Sequence, residues 1–215
     1  MDRSQPIFIA ASDLEPADVL FCAVGEGDLW RSLISYGSSG DYVHVAVYTG
    51  DGKLVEAIQD GVVESPLDQV VACYPYIAVG RCFGAKPDGL PELSKKVVEF
   101  CKRHVHAKTP YNGVGAVKSP LLELRELRHQ NRLKRTSPPT VRSSHKKSLF
   151  CSELVIEAFI YGGYIQEGTM NSAGYSPSAL SEHAIFGLIG YLGSPDMAEH
   201  IRNHDYFLTG GISYR

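Results

Sequence analysis

Apolar positions recur along this chain with two different periods, and the change of period divides it. Up to about residue 83, short runs rich in Val, Ile, Tyr and Phe (DVLFCAV, YVHVAVYTG, KLVEAI, GVVESPL and YIAVGRCF) are separated by Gly and Asp turns. Their pattern predicts a small antiparallel sheet or open barrel. Between the first two runs, LWRSLISYG reads as a short amphipathic helix leading into a Gly/Ser loop. Further on the spacing becomes three and four. PELSKKVVEFCKRHVHAK puts Leu93, Val97, Cys101 and Val105 on one stripe. From Leu149 onward, Phe150, Leu154, Val155, Ala158 and Phe159 predict a helix to about Tyr161, stopped by Gly162 and Gly163 and capped by Ser148. Strands followed by helices are the α+β signature rather than alternating βαβ units.

With 215 residues, 44% of them hydrophobic and 21% charged, the chain suits one globular domain spanning residues 1–215. No run approaches the roughly 20 apolar residues of a membrane span, and the amino terminus lacks a signal-peptide core. The expected location is the cytoplasm, with delivery by a specialised secretion system left open. The five cysteines are scattered, with no CxxC pair, which argues against a disulfide framework or a structural zinc site. Neither a metal nor another cofactor is expected.

Charge adds a subdivision. The formal net charge is -3, yet Lys118 to Lys147 carries nine Lys and Arg against two Glu. That stretch is +7, leaving -10 for the rest. It reads as a basic insert at about 118–148, helical first and then Pro- and Ser-rich. Such blocks are usually solvated faces and linkers; the alternative is a mobile lid or a weak contact with an anionic surface. It lacks the interleaved aromatics of single-stranded nucleic-acid binders, so no nucleic acid is expected.

The insert leads into Cys151, in the first turn of the predicted late helix. A helix start and a nearby imidazolium both favour the thiolate, the form that attacks a carbonyl. His44 lies in YVHVAVYTG, and VHVAVYTGDGKLVEAI reads as a hairpin. Taking Gly50, Asp51 and Gly52 as a three-residue loop pairs Thr49 with Lys53 and puts His44 and Glu56 on one face as diagonal neighbours. A two-residue Asp-Gly loop instead places Gln59 opposite His44 and turns Glu56 away. The first register is preferred, with Gln59 as reserve orienter. A carboxylate beside a histidine fixes its tautomer and stabilises the imidazolium.

DVLF, then SGDYVHVAVYTGDGKLVEAIQDGVVESPL, then FCSELVIEAF resemble the circularly permuted papain-like cysteine enzymes of the NlpC type, which include the YiiX-like proteins and relatives of lecithin retinol acyltransferase. TPYNG, with Tyr111, and SPSAL, at Ser176 to Leu180, resemble weaker landmarks. The resemblance covers roughly residues 14–190. It implies a small antiparallel sheet packed on helices, with Cys151, His44 and Glu56 in the catalytic positions. In such a site the Cys151 amide, with Tyr42 or Tyr111, would contact the oxyanion or substrate.

Three functions compete. The first is a thiol amidase or peptidase working through a thioester on cell-wall peptide or another amide. The second is an acyltransferase or lipid-ester hydrolase of the same superfamily, with the basic insert approaching anionic head groups. Glu56 speaks for the YiiX-like branch, since the acyltransferase branch usually carries histidine there. The third is a binding domain without catalysis, in which Cys151 stands apart from His44. A peptide, amide or lipid-amide substrate follows from the first two; oligomeric state is not encoded in any visible pattern.

Overall fold

A computed structural model of the chain describes residues 5–24, 42–82, 90–113, 116 and 147–209. Five strands form where the alternation places them: β1 (Val19–Ala23), β2 (Tyr42–Gly50), β3 (Lys53–Ile58), β4 (Gly61–Pro66) and β5 (Tyr76–Arg81). Helix α1 (Leu67–Cys73) joins the last two. Then follow α2 (Leu90–His106), α3 (Cys151–Tyr161), α4 (Pro177–Ser181), β6 (Gly187–Gly193), α5 (Ala198–His204) and α6 (Tyr206–Thr209). The strands make one open antiparallel sheet in the order β4-β3-β2-β1-β5-β6, packed against helices in an α+β arrangement. The short helix expected at 29–37 lies outside the described residues, as does the basic insert apart from Lys147 and Ser148.

Each face of the sheet has its own apolar layer. Val19, Phe21, Val45, Val47, Val55, Ala57 and Ala78 pack against Leu93, Val97 and Cys101 of α2 and against Leu154, Val155, Ala158 and Phe159 of α3. Leu20, Cys22, Ala46, Tyr48, Leu54, Ile77 and Val79 pack on the other side with Leu14, Leu192 and the α1 residues Leu67 and Val70. Burial of both faces explains why β1 reads as an unbroken apolar run. The segment at Ile7 to Ile9 covers the β6 edge: the Ile9 amide donates to the Tyr191 carbonyl at 2.9 Å, and the Tyr191 amide to the Ile7 carbonyl at 2.8 Å. An edge so covered is closed to further strand pairing.

The chain's last helices are tied to the sheet by a buried carboxylate. Asp205 is fully buried and accepts from the hydroxyls of Tyr42 at 2.5 Å and Tyr191 at 2.8 Å, and from the Phe207 amide at 3.0 Å. Tyr76 adds a third hydroxyl. Burial raises the Asp205 carboxyl above its ordinary range while these donors oppose the shift. Removing one donor leaves the carboxylate short of a partner it cannot replace with water. Tyr42→Phe is therefore expected to lower unfolding free energy by about 1.5–3 kcal/mol, as for hydrogen bonds to charged groups, measured by urea denaturation.

Candidate active site

The chain is delivered to Cys151 along a short rail. The Val62 amide of β4 donates to the Thr109 carbonyl at 2.8 Å, the Leu149 amide to the Pro110 carbonyl at 3.1 Å, and the Asn112 amide to the Leu149 carbonyl at 2.9 Å. The approach is so close that a Cβ on Gly61 would lie 2.7 Å from the Thr109 oxygen, and only glycine fits there. The rail ends at Leu149, with Phe150 alone between it and the helix. α3 begins at Cys151 itself and is closed by Gly162. The N-cap is Phe150 rather than Ser148, with no side-chain acceptor of its own; instead the Phe150 amide donates to the Glu153 carboxylate at 3.4 Å. Ser152, also buried, donates to the Tyr175 carbonyl at 2.5 Å, anchoring the first turn. The amides of that turn have no carbonyl partner within the helix.

The hairpin that carries His44 combines features of both loop readings. Gly50 pairs with Lys53 across a two-residue turn, with Asp51 and Gly52 both at positive φ, as a type I′ turn requires. A bulge between Tyr48 and Gly50 then inserts Thr49 as one extra residue, so that Tyr48 faces Leu54 and Val47 faces Val55. The extra residue restores the parity of the three-residue-loop register. Beyond Val47 and Val55 the ladder does not continue toward His44 and Glu56, and α3 packs against both strands.

There the side chains meet. His44 is 5% exposed and Glu56 7%, and the His44 Nε2 donates to Glu56 Oε2 at 2.7 Å. Cys151 acts on the same ring through its side chain and its charge. Ser65 donates to the other Glu56 oxygen at 2.5 Å, so both carboxylate oxygens are engaged. Burial works against charge on His44, but the hydrogen bonds to Cys151 and Glu56 and their charges outweigh it and lift the imidazolium to about 10. Burial likewise pushes the Glu56 carboxyl up, and His44 and Ser65 more than reverse it, leaving it below its ordinary value. The result is a buried imidazolium shared by a carboxylate and a sulfur.

His44 and Glu56 thus meet directly, and Cys151 at the start of α3 is near enough to act on the His44 ring. Tyr111 is brought alongside the lead-in, bridging Leu149 and packing against the core that contains Cys151. Tyr42 goes elsewhere: its hydroxyl is given to Asp205, so its proton is not available to an oxyanion. Gln59 sits exposed in the turn between β3 and β4, and Glu56 alone of the two meets His44. The SPSAL landmark clamps β2, with Ser178 accepting from the Tyr42 amide at 3.1 Å and donating to its carbonyl at 3.0 Å.

Three neighbours escaped the sequence reading. Ser65 was findable, because Glu56 pairs with Val63 and Ser65 is then its same-face diagonal neighbour. Cys22 lies directly across the ladder from His44, in a strand that was expected. Tyr74 follows α1, a helix that was not. Its ring lies parallel to that of His44, at 7° and 6.3 Å between centroids. Among the described residues no group of three or more His, Cys, Asp or Glu stands together as a metal-binding set.

No family model and no solved structure matches the chain. It is similar to a protein described as probable lipoprotein peptidase YaeF of Escherichia coli (strain K12), being 26% identical in an alignment 172 residues long that covers 73% of this chain and 59% of that relative. The chain therefore spans less than two thirds of the relative's length. Among the described residues no helix is long and apolar enough to cross a membrane.

The raised His44 makes stability depend on pH with a definite sign. A cation whose folded value exceeds its ordinary 6.5 contributes stability that is fully present below pH 6.5 and lost as pH rises through about 10. Thermal unfolding of wild type and His44→Gln is expected to show a gap in midpoint at pH 6 that narrows steadily toward pH 10.

Proposed function

We propose that this protein is a cysteine hydrolase of the amidase or peptidase kind, with Cys151 as nucleophile, His44 as acid and base, and Glu56 as the group that orients His44. The observation that carries the reading is that one buried imidazole meets Glu56 through Nε2 at 2.7 Å and is acted on by Cys151 as well. A binding domain that merely kept the fold has no use for that contact. Similarity to a probable peptidase supports the hydrolase class. The order His44, Glu56, Cys151 supports a permuted papain-like arrangement within the α+β fold.

The chemistry follows from the charges. The imidazolium stabilises the Cys151 thiolate, whose sulfur attacks the carbonyl carbon while the carbonyl pair moves to oxygen. The Cys151 amide, unused by its own helix, is placed to donate to that oxyanion. As the tetrahedral adduct collapses to a thioester, the C–N bond breaks and His44 gives its proton to the leaving amine. His44, now neutral, takes a proton from water as the water oxygen attacks the thioester. The C–S bond then breaks, returning the thiolate and the carboxylic acid, which releases its own proton to solvent as it leaves, while the proton taken from water stays on His44. Glu56 stays ionised throughout, its second oxygen held by Ser65. Tyr111, beside the rail, remains the proposed substrate contact. The substrate is a peptide or another amide, and five free thiols suit work in a reducing compartment.

The test is chemical. Iodoacetamide at pH 6, followed by peptide mass spectrometry, is expected to modify Cys151 ahead of the exposed Cys73, and His44→Ala is expected to abolish that preference. Hydrolysis of a peptide-amide library should fall to background in Cys151→Ala and by roughly 10⁴-fold in Glu56→Gln, the order seen when an orienting carboxylate is neutralised. Equal labelling of Cys73 and Cys151 at pH 6 rejects the reading.

A further inference from the structure

The Glu56 contact fixes one edge of the His44 ring and the Cys151 contact fixes another, but neither prevents the ring from tilting about the line between them. Something must bear on its face. Cys22, the cross-strand partner of His44, is fully buried and belongs to the apolar layer that also contains Leu67 and Val70 of α1. Tyr74, the residue at which α1 ends, packs half-buried against this same layer. It presents a ring whose plane departs from that of His44 by 7°.

We propose that Tyr74 is a positioning residue of this site: its ring, parallel to the imidazole of His44 with centroids 6.3 Å apart, limits the tilt of that imidazole and so keeps it in the plane that serves Glu56 and Cys151 together. The inference rests on the cysteine-hydrolase reading and adds to it a wall that no sequence motif marks. Parallel, offset aromatic rings are a favoured arrangement at such centroid distances, so the tyrosine ring locates the imidazole. The phenol itself adds no competing charge. Burial, and then the proximity of Cys22, Glu56, Cys151 and Cys73, push its ionisation far above the ordinary tyrosine range, so it stays neutral wherever the enzyme works. The groups bearing on His44 are thus Glu56 of β3, Cys151 of α3, Cys22 of β1 and the Tyr74 ring, with Cys73 beside the latter. Cys22 is itself held as the neutral thiol, because burial and the neighbouring charges raise it well above its usual range.

α1 is thereby given a task. It follows the strand that carries Ser65, and Leu67 and Val70 bury it so that its end reaches the His44 ring. The helix and β4 together supply one contact to Glu56 and one to His44.

The experiment measures the rate of Cys151 alkylation by iodoacetamide from pH 4 to 10, by peptide mass spectrometry, in wild type, His44→Ala, Tyr74→Phe and Tyr74→Leu, with circular dichroism melts of each. Tyr74→Leu keeps apolar bulk in the layer and removes the ring; Tyr74→Met makes the same comparison should the leucine variant melt early. The expected result is a wild-type profile reactive on the acid side, retained in Tyr74→Phe. In Tyr74→Leu the rate at pH 6 should drop about tenfold, equivalent to one pH unit, with the fold intact. A leucine variant that melts at lower temperature yet keeps the wild-type profile would show a purely structural tyrosine and overturn the proposal. Loss of the acid-side rate in Tyr74→Phe as well would also overturn it, since the ring would then not be the operative part. A wild-type profile that matches His44→Ala sinks the hydrolase reading itself, and the role of Tyr74 with it.

Discussion

The structure depends on one buried imidazole, which the fold sets between a carboxylate and a cysteine. The 2.7 Å contact of His44 Nε2 with Glu56 and the interaction of the same ring with Cys151 join the two strands of one hairpin, the second and the third, to a helix far along the chain that begins at the cysteine. Each half alone is ordinary, a strand ion pair or a buried thiol. Together they require β2 and β3 to share a hairpin in one register, and α3 to start at Cys151 rather than a turn earlier. The Thr49 bulge, the Gly61 close approach and the Thr109 to Asn112 rail all serve these two conditions. A shift of one residue in the hairpin would send Glu56 to the opposite face, and the imidazole would be left buried with one partner.

Burying a cation is costly unless its partners are already in place. The site meets that cost locally. Glu56 is bonded to both His44 and Ser65, Cys22 beside the ring stays a neutral thiol, and Tyr74 remains a neutral phenol. Among the described residues the carboxylate that meets the imidazolium is therefore Glu56, which is bonded to it directly. A buried charge with fixed partners is also a pre-organised one, which needs no rearrangement of solvent when charge moves during reaction. A second buried charge, Asp205, does quieter work: three tyrosine hydroxyls and a backbone amide hold it, and through it the last helices are tied to β2, β5 and β6.

Much of this was legible. Five of the six strands and the two long helices follow from alternation and from three- and four-residue spacing, and both ends of α3 from Leu149 to Gly163 are close to their expected places. β6 was not, because GLIGYLG has three glycines in seven residues and reads as a breaker rather than a strand. α1 was hidden because LDQVVAC is short and begins after a proline that looks like a turn. Hairpin parity brought His44 and Glu56 together, although the loop is two residues long and a bulge supplies the missing one; local turn preference and side-chain pattern disagreed, and the bulge satisfies both. Tyr42 was misjudged because its partner, Asp205, lies 163 residues away, and no local pattern announces a contact of that range. The same distance rule hid Tyr74, whose place on His44 depends on the unanticipated helix.

The site depends on His44 being an imidazolium at neutral pH, held so by Glu56 and Cys151. A ¹⁵N NMR titration of the His44 ring in wild type and in Cys151→Ser tests this most directly. The expected wild-type ring is protonated at both nitrogens at pH 7 and titrates near 10, with a lower midpoint in the serine variant. A wild-type ring that is neutral at pH 7 and titrates near the ordinary 6.5 would contradict it.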